Sequence, residues 1–183
     1  MKPKPERKYL KRQLWKVKVG EACFEMVQRL CAIFEKHNPT TCSPFGYALV
    51  SSIAVTYAKP FTSNRIVGAL SPQFAKFPTE QHRLAHGLML ELRNELYAHQ
   101  DPKHAHVLID IEPHDEGEQI LYKFFHGLEQ HHLHQRWIPI VNQNAAEILE
   151  RLAPERDRLM GLLFGGEQHW PAGNITLNLY DNS

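Results

Sequence analysis

Cysteine is scarce in this sequence, with three residues among 183. Cys23, Cys31 and Cys42 are odd in number and contain no C-x2-C pair. They therefore provide neither a disulfide framework nor a common zinc-ligand spacing. We expect reduced, partly buried thiols, as in proteins of the cytoplasm.

Long apolar segments are also missing. No run approaches the roughly 20 residues that a transmembrane helix requires. The first residues are basic but contain no apolar segment and no small-residue cleavage site, so they do not resemble a secretory signal. These features predict a cytoplasmic protein without a membrane partner.

The sequence contains no internal repeat, no low-complexity segment and no phosphate-binding loop. Gly165-Gly166 predicts a helix end, because no lysine and no following helix complete a nucleotide-binding turn, and we predict no cofactor. With 43% hydrophobic and 22% charged residues, the composition is ordinary for a globular protein. A length of 183 residues fits one domain, 1–183, with a sizeable core.

Charge is unevenly distributed along the chain. The net charge is +1, yet residues 1–18 contain eight Lys and Arg residues against the single acidic residue Glu6. We interpret 1–18 as a basic N-terminal arm, loosely ordered over 1–12, that could attract a polyanion. The RNA-binding candidates are Lys8, Lys11, Arg12 and Lys16, and Tyr9 and Trp15 could stack on bases. The alternative is a solvated, frayed terminus without a specific role.

Helical periodicity predicts two helices before residue 60. The first runs from about Gly20 to His37 and ends before Pro39. The second begins at the capping residue Ser43, has Pro44 in its first turn and ends at Lys59-Pro60. Its predicted inner face consists of Tyr47, Val50, Ile53, Ala54 and Tyr57.

A third helix is predicted from the capping residue Thr79 to about residue 100, before Pro102. Its predicted apolar stripe consists of Leu84, Leu88, Leu92 and Leu96, joined by Ala85 and Met89.

The pattern changes after Pro102. Two alternating runs, Val107 to Ile111 and Ile120 to Phe124, flank turn-forming residues and predict a β-hairpin at about 105–126. A helix is then predicted from about Val141 to Phe164, in which Pro154 either causes a kink or separates two helices. Residues 175–180 alternate again and could add a strand. The predicted fold is mainly α, a bundle of four or five helices with a small β-element in the C-terminal half.

The end of the third predicted helix combines residues that suit phosphate chemistry. Arg93 and Asn94 are adjacent, and His99 follows six positions after the arginine. The guanidinium group of Arg93 is permanently charged, whereas the imidazole of His99 can move protons near neutral pH. A helix C-terminus also favours a protonated imidazole.

This stretch, LRNELYAHQD from Leu92 to Asp101, resembles the R-x(4–6)-H signature of the HEPN superfamily, in which a polar residue commonly follows the arginine. The resemblance covers mainly residues 20–101. It implies a helical bundle and, as in many members, a metal-independent ribonuclease. Such enzymes work as homodimers in which the Arg and His of both subunits face a shared cleft. It further implies a toxin or phage-defence effector, whose partner in a two-gene pair is a nucleotidyltransferase-type antitoxin.

The resemblance assigns roles to three residues. Arg93 would bind the phosphate, His99 would transfer protons, and Asn94 would orient the phosphate or hold the His99 tautomer. Asp101 could accept a hydrogen bond from the imidazole or cap the chain, and we do not call it catalytic. Residues six apart on a straight helix differ by about 120° in direction. A loosened last turn or a symmetric dimer is therefore needed to bring Arg93 and His99 together.

Other interpretations of the same residues leave the enzyme assignment open. Arg93 could belong to a solvated helix face beside Glu91 or Glu95, and His99 could merely bind terminal carbonyl groups. The protein would then be a non-catalytic helical module of the HEPN type that binds a partner protein or a nucleotide.

The twelve histidines raise the question of a metal site. Those that cluster after the predicted hairpin are His126, His131, His132 and His134. They lack a Cys or carboxylate at a recognised zinc-motif spacing, and consecutive residues of a strand point to opposite faces. His82 and His86, one helical turn apart, lack a framing Glu. We predict solvent-exposed loop histidines and no metal; a His-rich metal-binding protein is the weakest alternative.

Overall fold

The computed structural model of this protein describes residues 6–40, 43–62, 68–97, 106–113, 120–127 and 135–165. For residues 95–97 and the two strands, the backbone alone is described. The chain is mainly helical, as predicted. The helices are α1 (Arg7–His37), α2 (Pro44–Ala58), α3 (Glu80–Glu91), a π-helical turn (Leu92–Tyr97) and α4 (Trp137–Phe164). Short 3-10 helices lie at Lys59–Phe61 and Pro72–Ala75.

Helix α1 begins at Arg7, well before the predicted start at Gly20. The stripe of buried side chains starts with Leu10, Leu14 and Val17 and continues through Phe24 and beyond. Most of the basic segment 1–18 is thus part of a helix rather than a loosely ordered arm. The physical reason is that Lys and Arg favour helix on the exposed face while the leucines are buried on the other.

Helix α2 has the predicted limits and caps. The hydroxyl oxygen of Ser43 accepts a hydrogen bond from the Gly46 N–H at 3.0 Å, and Pro44 lies in the first turn. Four of the five predicted inner residues are buried, but Tyr47 is exposed. Leu49 is buried instead.

Helix α3 begins as predicted, with the Thr79 hydroxyl oxygen accepting a hydrogen bond from the His82 N–H at 3.3 Å. The predicted leucine stripe is wrong at Leu84, which is 56% exposed. Positions four apart advance by about 40° around a helix, so a four-residue repeat drifts off the buried face. Ala85, Met89 and Leu92, which also belong to the predicted stripe, are buried and form that face. The predicted helix end near residue 100 lies outside the described residues.

Helix α4 starts at Trp137 and continues without interruption through Pro154 to Phe164. Pro154 is exposed, while Leu152 and Leu159 on either side of it are buried. A carbonyl group that loses its partner at the proline can therefore bind water. The helix ends at Gly165, whose φ of 84° is left-handed and whose N–H donates to the Gly161 carbonyl at 3.0 Å.

Two antiparallel strands, β1 (His106–Pro113) and β2 (Ile120–Gly127), pair with His106 opposite Gly127 and Pro113 opposite Ile120. The predicted strand at 175–180 lies outside the described residues.

Helices α2 and α4 each pack antiparallel to α1. Phe45 at the start of α2 meets His37 at the end of α1, and Tyr57 at the end of α2 meets Phe24. Helix α4 runs back along α1, with Gln135 donating to the Pro39 carbonyl at 3.1 Å near one end. Gly20 lies against Leu152 further along. A Cβ at Gly20 would lie only 3.1 Å from a Leu152 methyl carbon, so the glycine allows these helices to approach closely.

Two of the three cysteines are described, and both are free and buried. Burial raises the pKa of Cys31 to about 12, which keeps its thiol protonated and unreactive. Cys42 lies outside the described residues. None of the helices in the described part of the chain has the length and apolarity to cross a bilayer.

Candidate functional site

Arg93 and Asn94 lie on the π-helical turn that continues α3. A single π turn inside a helix widens the backbone locally, and such turns occur frequently at functional sites. Leu92 anchors the turn, because its side chain is buried in the core. Arg93 is half-buried and Asn94 is exposed, so both polar groups lie at the edge of the bundle.

The guanidinium group of Arg93 is oriented by its neighbour. Its Nη1 donates a hydrogen bond to Oδ1 of Asn94 at 2.7 Å. Because the amide is neutral, this contact orients the guanidinium group without neutralising its charge. Among the described side chains, Glu91 makes no ion pair with Arg93, and the side chain of Glu95 lies outside them. A guanidinium group that is oriented in this way suits the binding of an anion.

The π-helical turn packs against α2. Two residues place it along that helix: His86 of α3 contacts Tyr57 in the last turn of α2. The π-helical turn follows His86 in the chain and also contacts α2. It must therefore lie nearer to the start of α2 than Tyr57 does. His99, the predicted proton-transfer residue, lies outside the described residues, as do Gln100 and Asp101. The structure thus brings Arg93 and Asn94 together, and their relation to His99 stays a prediction.

The predicted RNA-binding residues lie on α1, on the face opposite the buried leucines. Lys8, Arg12 and Lys16 are spaced four apart and form one stripe, in which Lys8 and Arg12 are exposed and Lys16 is half-buried. Lys11 lies beside them and is half-buried. The aromatic side chains of Tyr9 and Trp15 are also exposed. The basic side chains and the aromatic rings thus share one accessible surface, as a nucleic-acid contact requires.

This basic surface does not lie next to Arg93. The π-helical turn lies toward the start of α2, which meets the end of α1 at His37. The basic residues are at the other end of α1, at least some twenty residues before His37. At 1.5 Å per residue, the separation along the helix is about 30 Å. Only an extended polyanion could contact both surfaces of one protein chain at the same time.

A polar cluster that periodicity did not predict lies between α2, α3 and α4. The hydroxyl oxygen of Tyr57 is 3.2 Å from Nδ1 of His86. The imidazole of His86 is surrounded by Phe61 and Phe77, with ring centroids at 4.9 and 5.7 Å. Burial lowers the pKa of His86 from its ordinary value, which favours the neutral ring. The i, i+4 spacing of His82 and His86 was the one sequence signal for this cluster.

His82 faces α4. Its Nδ1 is 3.3 Å from Oε1 of Glu147, and its backbone carbonyl accepts a hydrogen bond from Asn144 at 2.9 Å. Arg151 holds Glu147 at 2.6 Å and donates to the Phe74 carbonyl at 2.9 Å. The Asn144 bond joins α4 to α3, and the Arg151 bond to Phe74 joins α4 to the 3-10 helix Pro72–Ala75. Among the residues that the structure describes, no three His, Cys, Asp or Glu side chains are grouped as in a metal site. Of the predicted loop histidines, His126 lies on strand β2 rather than in a loop, and His131, His132 and His134 are outside the described residues.

The chain matches no protein-family profile, no curated protein and no solved structure.

The Tyr57–His86 cluster and the Arg93–Asn94 pair differ in their chemistry. The Tyr57–His86 cluster is packed among aromatic rings and joins helices, which is a structural role. The Arg93–Asn94 pair is accessible, cationic and joined by a hydrogen bond, and is therefore the candidate site for binding a phosphate or another anion.

Proposed function

We propose that the protein is a HEPN-type endoribonuclease that cleaves RNA without a metal ion. The mainly helical fold would be a HEPN-like bundle carrying the β-hairpin as an insertion, and two copies would form a shared cleft. Arg93, Asn94 and His99 would be its catalytic residues. As a cytoplasmic toxin or phage-defence effector, it would be neutralised by a nucleotidyltransferase-type antitoxin.

The observation that supports this proposal most directly is the Arg93–Asn94 contact on the π-helical turn. The motif arginine is accessible, and its neighbour in the motif holds it in place. A guanidinium group that is fixed before substrate arrives can stabilise the charge that develops on a phosphate, because no reorganisation is then needed.

The side chains of the protein have three tasks in the proposed reaction. A base removes the proton of the RNA 2′-hydroxyl group, whose oxygen attacks the adjacent phosphorus. Arg93 stabilises the negative charge on the phosphate oxygens, and an acid protonates the leaving 5′-oxygen. A histidine can act as the base or the acid, and the two His99 side chains of a dimer could share these roles.

The test is RNA cleavage in EDTA by the wild type, His99→Ala, Arg93→Ala and Arg29→Ala. Arg29 is an exposed arginine of α1 and serves as the matched control. We expect the wild type and Arg29→Ala to cleave in the presence of the chelator, and both motif variants to lose activity. Cleavage by His99→Ala at the wild-type rate would refute the role assigned to His99.

The non-catalytic alternative predicts a different pattern. A module that only binds a partner or a nucleotide would give background cleavage with all four proteins. RNA cleavage that EDTA abolishes would instead contradict the metal-independent mechanism.

A further inference from the structure

Helix α1 begins with a run of cations that no acidic residue interrupts. From Arg7 to Lys18 the chain has six Lys and Arg residues and no Asp or Glu. Lys8, Arg12 and Lys16 form the basic stripe, in which each cation lies about one turn from the next on the same side of the helix. Like charges at that spacing repel and destabilise a helix. The basic stripe therefore weakens α1 in the free protein, and an anionic ligand would relieve the repulsion.

Two nearby cations show the usual alternative, an acidic partner one turn away. Lys18 donates to Glu21 at 2.7 Å, and Arg158 donates to Glu155 at 2.7 Å. In the part of the chain that the structure describes, no acidic side chain forms an ion pair with a member of the basic stripe. Natural proteins retain such local conflicts at functional sites.

Two aromatic side chains border the centre of the basic stripe. Tyr9 lies three residues before Arg12 and Trp15 lies three residues after it, so both are neighbours of Arg12 on the helix surface, on opposite sides. Tyr9 is 55% exposed and Trp15 is 39% exposed. The side chains that α1 buries here are Leu10 and Leu14. The two rings therefore lie on the solvent side of the helix and flank the guanidinium group of Arg12.

We propose that the basic stripe, Tyr9 and Trp15 together bind single-stranded RNA at a surface separate from the candidate site. The cations contact phosphate groups, and the rings stack on unpaired bases. The basic stripe extends over eight residues, or about 12 Å. Successive phosphates of one stacked strand are about 3.4 Å apart, so about four nucleotides fit along it.

An anionic membrane also attracts basic helices, but the burial of α1 argues against that occupant. Amphipathic helices that bind membranes insert an apolar face among the lipids. In α1 that face includes Leu10, Leu14 and Val17, which are buried against the rest of the bundle. The side that remains accessible has cations and two rings, which suits a strand of phosphates and bases.

The place of this surface in catalysis rests on the proposed function. The basic stripe lies at the end of α1 that is far from Arg93, so the nucleotides bound there are not those that are cleaved. Binding can nevertheless be measured without cleavage. RNA whose 2′-oxygens carry methyl groups suits this purpose, because such an oxygen has no proton to lose and cannot attack the phosphorus.

The first experiment tests the charge of the basic stripe. Fluorescence anisotropy measures binding of a labelled, single-stranded 2′-O-methyl RNA of about 12 nucleotides, which exceeds the smallest binding sites for single strands. Arg12→Ala should weaken binding about tenfold, as expected for a lost hydrogen bond to a charged group. It should also reduce the steepness of log K against log salt by about 0.7, the value for one phosphate contact.

Arg29→Ala is the matched control, at an exposed arginine of α1 that has Glu25 one turn before it. It should change neither the affinity nor the salt dependence. An Arg12→Ala variant that binds RNA with the affinity and salt dependence of the wild type would overturn the proposal.

The second experiment separates stacking from charge. Trp15→Leu keeps an apolar side chain but removes the ring, and should weaken binding of the single strand about tenfold. Tyr9→Leu should act in the same direction at the more exposed ring. Binding of a duplex should be unchanged in both variants, because its bases are stacked on one another. Phe45→Leu, at an aromatic side chain of α2 that is 50% exposed, is the control and should bind like the wild type. Wild-type affinity of both ring variants for the single strand would overturn the proposed stacking.

Vesicles of phosphatidylserine and phosphatidylcholine test the membrane as occupant. The wild type should not sediment with them at the salt concentration at which it binds RNA. Sedimentation with vesicles that Arg12→Ala abolishes would overturn RNA as the occupant. Circular dichroism establishes that each variant is folded.

These readouts do not depend on RNA cleavage. A protein that passes them but does not cleave RNA would refute the ribonuclease and leave the RNA-binding surface of α1 standing. Cleavage by a protein whose Arg12→Ala variant binds RNA like the wild type would do the reverse.

Discussion

The hydroxyl oxygen of Tyr57 lies 3.2 Å from Nδ1 of His86, where α2 meets α3. A neutral imidazole whose proton is on Nε2 accepts a hydrogen bond at Nδ1. The contact lies nearly two turns before Arg93, so it helps to hold the segment that carries Arg93 against α2. Removing the hydroxyl group therefore has a measurable consequence.

Tyr57→Phe should destabilise the fold by about 1 kcal/mol, because it deletes this hydrogen bond while keeping the aromatic packing. Urea denaturation followed by circular dichroism measures the change. Tyr9→Phe, at a tyrosine of α1 that is 55% exposed, is the control and should have a smaller effect. Equal losses in both variants would contradict a structural role for the Tyr57–His86 contact.

Stability should fall on acidification because of His86. Burial lowers its pKa in the folded state below the ordinary value of 6.5, so below about that pH the unfolded chain binds a proton that the folded chain does not. The free energy of unfolding should therefore decrease as the pH drops through 6.5 and below. His86→Gln should show a weaker pH dependence in that range than the wild type. His82, Glu147 and Arg151 are present in both proteins, so their contributions largely cancel.

The ion pair between Arg156 and Glu21 should contribute more to the free energy of unfolding than the pair between Arg158 and Glu155. Arg156 donates to the carboxylate of Glu21 at 2.8 Å, and the Glu21 side chain is only 8% exposed. Arg156→Ala leaves that carboxylate with Lys18 as its remaining partner and should cost roughly 1–3 kcal/mol. Arg158→Ala breaks a more exposed pair with Glu155, which should cost about 0–1 kcal/mol. Thermal or urea unfolding measures the stability of both variants. A larger loss of stability for Arg158→Ala than for Arg156→Ala would contradict this prediction.

Two glycines should respond in opposite ways to alanine. A Cβ at Gly46 would clash with the Thr40 carbonyl oxygen, so Gly46→Ala must disturb the start of α2. We expect it to destabilise the fold by at least about 1–3 kcal/mol. A Cβ at Gly161 would meet nothing within 4 Å. Gly161→Ala should therefore stabilise α4 by about 0.5–1 kcal/mol, as seen in the midpoint of unfolding.

Asn94→Asp should test the charge of Arg93. A carboxylate at the position of the amide would neutralise the guanidinium group that lies 2.7 Å away. If Arg93 binds the RNA phosphate, cleavage should fall by about tenfold or more, in line with the 1.5–3 kcal/mol of a hydrogen bond to a charged group. Asn94→Ala keeps the charge of Arg93 and should lose less. Cleavage rates that are equal for the two variants would contradict a role for this charge.

Local sequence signals predicted the starts of α2 and α3 correctly, because a capping hydroxyl binds an N–H only three residues away. The burial of individual faces was harder to predict. Leu84 fits a four-residue repeat but is exposed, and Leu10 and Leu14 are buried within a segment whose charge suggested an arm. In each case the neighbouring helix decides which side chains are covered. For the candidate site, the motif identified Arg93 and Asn94, whereas their mutual contact and the π-helical turn follow from the packed structure.

The sequence by itself determined the helical character of the chain, the caps of α2 and α3, and the uncharged composition of α2. These properties depend on residues within one or two turns of each other. Tertiary structure decided that α1 begins at Arg7, that α4 continues through Pro154, and that the basic stripe lies far from Arg93. Each of these depends on which faces the helices bury against one another, and burial is a property of contacts between residues that are distant in sequence.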